Sequence, residues 1–65
     1  MIDFAITKDN KLVGNIKWSK LCQNMKVKPY MPSTPELALI KVRLEKELEL
    51  EKDSITVRMN GQAIL

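Results

Sequence analysis

Ser33-Thr-Pro-Glu-Leu-Ala-Leu-Ile-Lys-Val-Arg-Leu-Glu-Lys-Glu-Leu-Glu-Leu-Glu-Lys-Asp53 is the longest helical signal in the chain, and every other segment is short enough to be arranged around it. Ser33 and Thr34 are good N-caps, Pro35 suits a first turn where its missing N–H costs nothing, and Glu36 stands three after Ser33 as in a capping box. No glycine or proline follows until beyond Asp53, and Leu, Ala, Glu, Lys and Arg are strong helix formers, so a helix is predicted over residues 34–52. At about 100° per residue, Leu37, Ile40, Leu44 and Leu48 fall on one face. Leu39, Val42 and Leu50 fall nearly opposite, with Lys46 among them. A helix with two apolar stripes needs two surfaces to pack against.

Upstream, Ile2, Phe4 and Ile6 alternate with Asp3, Ala5 and Thr7, as in a half-buried strand. Asp9-Asn10 is a turn signal, and beyond it Leu12, Gly14 and Ile16 alternate again. A two-residue loop at Asp9-Asn10 would set Ile6 beside Val13 and Phe4 beside Asn15, mixing the faces. A three-residue loop, Asp9-Asn10-Lys11, sets Ile6 opposite Gly14, Phe4 opposite Ile16 and Asp3 opposite Lys17. The second register keeps one face apolar and pairs opposite charges, so it is preferred. Trp18, Leu21, Cys22 and Met25 then follow helical spacing, with Asn15 or Ser19 as the cap. Residues 26–32 contain Pro29 and Pro32 and read as an extended linker.

Downstream, Ile55, Val57 and Met59 alternate with Thr56 and Arg58, and Asn60-Gly61 is a strong two-residue hairpin signal. It sets Val57 opposite Ile64 and Arg58 opposite Ala63. The chain is thus read as one small domain, residues 1–65. It comprises an N-terminal hairpin (2–16), a short helix (17–25), the linker (26–32), the long helix (34–52) and a C-terminal hairpin (55–65). The ββ-α-α-ββ order predicts an α+β fold, two β-hairpins forming a small antiparallel sheet packed on one long helix, with a short second helix. The Leu37 stripe is expected to meet Phe4, Ile6, Ile16, Val57 and Ile64. Sixty-five residues lie near the lower size for a self-sufficient core, which makes a homodimer an expected supplement.

Chemistry is sparse. There is no histidine and a single cysteine, so neither an internal disulfide nor a Cys/His metal site is expected. Ser19, Ser33 and Ser54 lack a base at catalytic spacing. Cys22, flanked at a distance by Lys20 and Lys26, reads as a small buried hydrophobe on an apolar helix face. The glutamates of the long helix scatter around it, Lys41–Glu45 and Arg43–Glu47 forming i,i+4 surface pairs. Met25, Met31 and Met59 read as core filling. No cofactor, no metal and no enzymatic activity are expected. A lone thiol, no apolar run near the ~18 residues of a membrane span, and an N-terminus bearing Asp3 without a basic leader point to the cytoplasm and away from membranes.

Two surfaces remain as candidate sites. The stripe Leu39, Val42 and Leu50 forms ordinary core if the short helix covers it, and a partner or dimer interface if it does not. Lys17, Lys20, Lys26 and Lys28, interleaved with Trp18 and Tyr30, form a candidate nucleic-acid contact, with lysines on phosphate and rings stacked on bases. Charge is polarised accordingly: residues 1–35 carry +4, residues 36–53 carry −2, and Arg58 adds +1. Base readout favours arginine, of which there are two, and the linker is too long for a helix-turn-helix. In brevity and in lacking catalytic apparatus the chain is similar to small phage or plasmid accessory proteins that bind a host protein. The expected function is a non-enzymatic protein-binding or regulatory module presenting a helix face or a sheet edge. Nucleic-acid binding through Lys17–Tyr30 is the alternative.

Overall fold

Residues 1–65 are described by a computed structural model. The alternating N-terminal stretches form strands β1 (Ile2–Lys8) and β2 (Lys11–Lys17), and helix α1 (Trp18–Asn24) follows without a break. Helix α2 (Thr34–Glu47) and strands β3 (Ile55–Met59) and β4 (Gln62–Ala63) complete the chain. All neighbouring strands are antiparallel, in the order β2-β1-β3-β4, so the two hairpins join through β1 and β3 within one chain. Both helices lie on one face, α1 over β1 and β2 and α2 over β3. The core between the layers is Ile2, Phe4, Trp18, Cys22, Leu37, Ile55 and Val57.

The first hairpin uses both registers that its sequence offers. Asp9 and Asn10 have φ of 55° and 64°, a two-residue turn whose twist suits a hairpin, and Lys8 pairs with Lys11. The register then shifts between Ile6 and Thr7, so that Ile6 faces Gly14, Phe4 faces Ile16 and Asp3 faces Lys17. One extra residue, Val13, is accommodated as a bulge, which restores the apolar face that the tight turn alone would lose. At Gly14 a methyl group would stand 3.5 Å from the Ile6 side chain, an ordinary contact.

The second hairpin turns at Asn60 (φ 52°) and Gly61 (φ 84°), with Arg58 opposite Ala63 as expected. Beyond that pair the ladder is irregular. The Val57 carbonyl accepts from the N–H of both Ile64 (2.8 Å) and Leu65 (3.4 Å), so two residues stand against one. Leu65 thereby packs on the core, and Ile64, expected inside, is 41% exposed.

Helix α2 starts where expected: Ser33 is extended (ψ 161°) and its Oγ accepts the Glu36 N–H at 3.4 Å. It stops at Glu47, a turn and a half short of the predicted residue 52. The Leu50 N–H donates to the Glu45 carbonyl (2.8 Å) and the Glu49 N–H to the Lys46 carbonyl (3.2 Å), with Glu49 at φ 56°. These two bonds around a left-handed residue are a Schellman stop, formed here with glutamate where glycine is usual. Leu48, at the cap, is therefore 47% exposed and leaves the core stripe to Leu37, Ile40 and Leu44. Helix α1 ends the same way: Val27 N–H to Cys22 carbonyl (3.0 Å), Lys26 N–H to Gln23 carbonyl (3.1 Å), Lys26 at φ 60°. Its N-cap is Lys17, with no side-chain cap, rather than Asn15 or Ser19.

Candidate functional site

Leu37 and Leu44 face the sheet, so the residues half a turn away, Leu39 and Val42, must face outward. Nothing covers them: Leu39 is 73% and Val42 60% exposed. Helix α1 sits beside α2 on the sheet, over the other pair of strands, and does not close the second stripe. Leu50, the third residue of that stripe, does not share this surface. It lies beyond the helix end, and the Schellman turn folds it back against the core. Pro35 and Lys46, both exposed, extend the Leu39–Val42 face toward its two ends, and Arg43 borders it without a hydrogen bond or ion pair in the chain.

The charges of α2 are placed differently from the expected i,i+4 pairs. Lys41 reaches Asp53 (3.4 Å) rather than Glu45. Glu45 is 6% exposed, and its Oε2 accepts the backbone N–H of Ile55 at 3.0 Å. Strand β4 is too short to pair with that end of β3, so a helix carboxylate supplies the missing acceptor. The spacing of Glu45 among other glutamates carries no sign of this role. What betrays it is that position 45 falls toward the core flank of the helix.

The lysine–aromatic segment divides. Lys17, Lys20, Lys26 and Lys28 are exposed and form no ion pair. Trp18 is 5% exposed, packed against Phe4 with ring centroids 6.4 Å apart, and its indole N–H donates to the Tyr30 carbonyl at 2.7 Å. A ring so buried does not present a face to a base. Tyr30 is half-exposed, edge-on to Trp18 at 5.4 Å, and its hydroxyl donates to the Glu36 carboxylate, which holds the phenol above its ordinary pKa. Met1, Ile2, Trp18, Pro29, Tyr30 and Met31 line an apolar groove of about 350 Å³ beside this segment. Cys22 is fully buried and Met25 is 53% exposed, against its expected place in the core.

On the outer sheet face Asp3 stands opposite Lys17 in the ladder, but its ion pair is with Arg58. Arg58 grips it through two bonds of 2.9 Å, and Asn15 donates at 3.0 Å. The Arg58 bonds hold the Asp3 carboxyl below its ordinary value. Because the folded pKa lies below the unfolded one, the stabilisation is present above about pH 4 and is lost as pH falls through the folded value. No helix is long and apolar enough to cross a membrane. Comparison of the chain with protein-family models, with curated proteins and with solved structures finds no match.

Proposed function

We propose that this chain is a small non-enzymatic protein-binding module, of the phage- or plasmid-accessory type, that acts by presenting the outer face of α2. The observation that carries this reading is the exposure of Leu39 and Val42 on a helix already anchored from its other side. Two adjacent branched apolar side chains held on a rigid element have the form of a helix-face contact, as α2 needs neither for its own packing. Capture from the source cell, with nuclease and without, tests the reading. A protein partner should survive nuclease and be lost on Leu39→Glu or Val42→Glu, with helix content unchanged by circular dichroism. Undiminished capture by both variants sinks it.

A second reading, nucleic-acid binding, keeps the support of Lys17, Lys20, Lys26 and Lys28, four exposed cations without acidic partners. It rests on phosphate contact, since Trp18 is not available for stacking. Affinity for mixed DNA and RNA that falls steeply with salt would favour it.

A further inference from the structure

The Leu39–Val42 face has a charge pattern that matches itself. At about 100° per residue, Pro35, Leu39, Val42 and Lys46 run along the outermost line of α2. Arg43, which has no partner, and Glu36, whose Oε2 accepts from Tyr30 while Oε1 is open, stand together on one flank of that line, about 70–90° around; the opposite flank carries Ala38 and Thr34 and no free charge. Glu45 is turned inward on that side, and Lys41 is held by Asp53.

Consider two copies with α2 against α2 in antiparallel sense. A two-fold axis between them brings the same flank of both helices together. With the axis midway between Leu39 and Val42, Leu39 faces the partner's Val42 and Lys46 faces the partner's Pro35. Arg43 then comes within about 3 Å, measured along the helix axis, of the partner's Glu36, and symmetry repeats the pair. A parallel two-fold would instead set the Arg43–Glu36 flank of each copy against the partner's Ala38–Thr34 flank, leaving both charges without a partner across the interface. Helix α2 itself holds Lys41, Arg43 and Lys46 against Glu36, Glu45 and Glu47, so two copies meeting through it bring no net charge together. Since Leu37 and Leu44 lie opposite, nothing of the sheet stands in the way.

We infer that the occupant of this face is a second copy of the chain, in an isologous antiparallel α2–α2 dimer with an apolar centre of Leu39 and Val42 and two Arg43–Glu36 pairs across the axis. The inference rests on the proposed function and names its partner. A single helix face buries well under the ~800 Å² per protomer of a standard interface, so the dimer is weak, with a Kd on the order of 100 µM.

Sedimentation velocity from about 10 µM to about 1 mM spans that range. The expected result is a concentration-dependent shift from monomer to dimer that Leu39→Glu abolishes. Arg43→Glu should raise Kd about tenfold, and Glu36→Arg likewise; the double reversal should return it to within about threefold of the parent. Circular dichroism of each variant checks that α2 persists. A monomer at every concentration overturns the inference, as does a dimer indifferent to the charge reversals or not restored by the double one. A monomer that nonetheless loses a different, nuclease-resistant partner on Leu39→Glu would overturn the self-pairing and leave the proposed function standing.

Discussion

The two helices divide the work in opposite ways. Helix α1 has seven residues, no side-chain cap, no acidic residue in its first turn and no basic residue in its last. Such a segment would not persist in isolation. Yet it contributes Trp18 and Cys22, two of the seven core side chains. Helix α2 is twice as long, capped by Ser33, with Glu36 and Lys46 suited to its dipole ends, but supplies only Leu37 to the fully buried core. The first is held in place by what it buries. The second is started by its own cap and end charges, touches the core along one line and has a face to spare. That difference explains why Leu39 and Val42 can stand uncovered on α2.

The dependence of α1 on what it buries shows most directly at Trp18. Trp18→Ala should cost about 3–5 kcal/mol in urea denaturation followed by circular dichroism, a large fraction of the stability of so small a domain. A loss under about 1 kcal/mol would mean that α1 does not depend on its core side chains. Next in size is Glu45, where α2 serves the sheet through a polar atom. Glu45→Ala leaves the Ile55 N–H without its acceptor and should cost about 1–3 kcal/mol, while Glu45→Gln, which keeps an acceptor oxygen, should retain most of the stability. Smallest, and of opposite sign, are the helix stops. Lys26→Gly and Glu49→Gly relieve left-handed backbone at φ 60° and 56°, and each should stabilise by about 0.5 kcal/mol after the entropy of glycine is charged. Equal gains would show that the helices differ in how they are held and not in how they end.

Those stops also mark the limit of what the sequence makes legible. The start of α2 is written in side chains, because Ser33, Pro35 and Glu36 act locally. So is the turn at Asn60-Gly61, and so is the face of the first hairpin. The end of α2 is not. A left-handed residue that is glutamate rather than glycine gives no compositional sign, so the periodic pattern reads on to residue 52 and carries Leu48 and Leu50 onto faces they do not occupy. The bulge at Val13 escapes for a related reason: turn geometry and hydrophobic pattern favour different registers, and only the folded ladder satisfies both. Leu39 and Val42 are visible as a stripe. Their exposure depends on whether α1 lies over α2 or beside it, which is settled by how Trp18 packs on Phe4 and the strands, not by any residue of α2.

The irregularities at the two margins of the sheet have a consequence for the protein in a crowded solution. An open strand edge is a template on which further chains can add, and sheets that offer a regular one polymerise. Here β2 carries a bulge at its middle and lysine at both ends, Lys11 and Lys17, so a copy laid antiparallel along it meets a kinked ladder and like charges. On the far side β4 spans two residues, and the adjoining N–H of β3 is already taken by Glu45. Neither margin can pass its pattern on to another molecule. The sheet is thus kept from growing sideways, and a high local concentration of this chain should yield discrete complexes and not fibres.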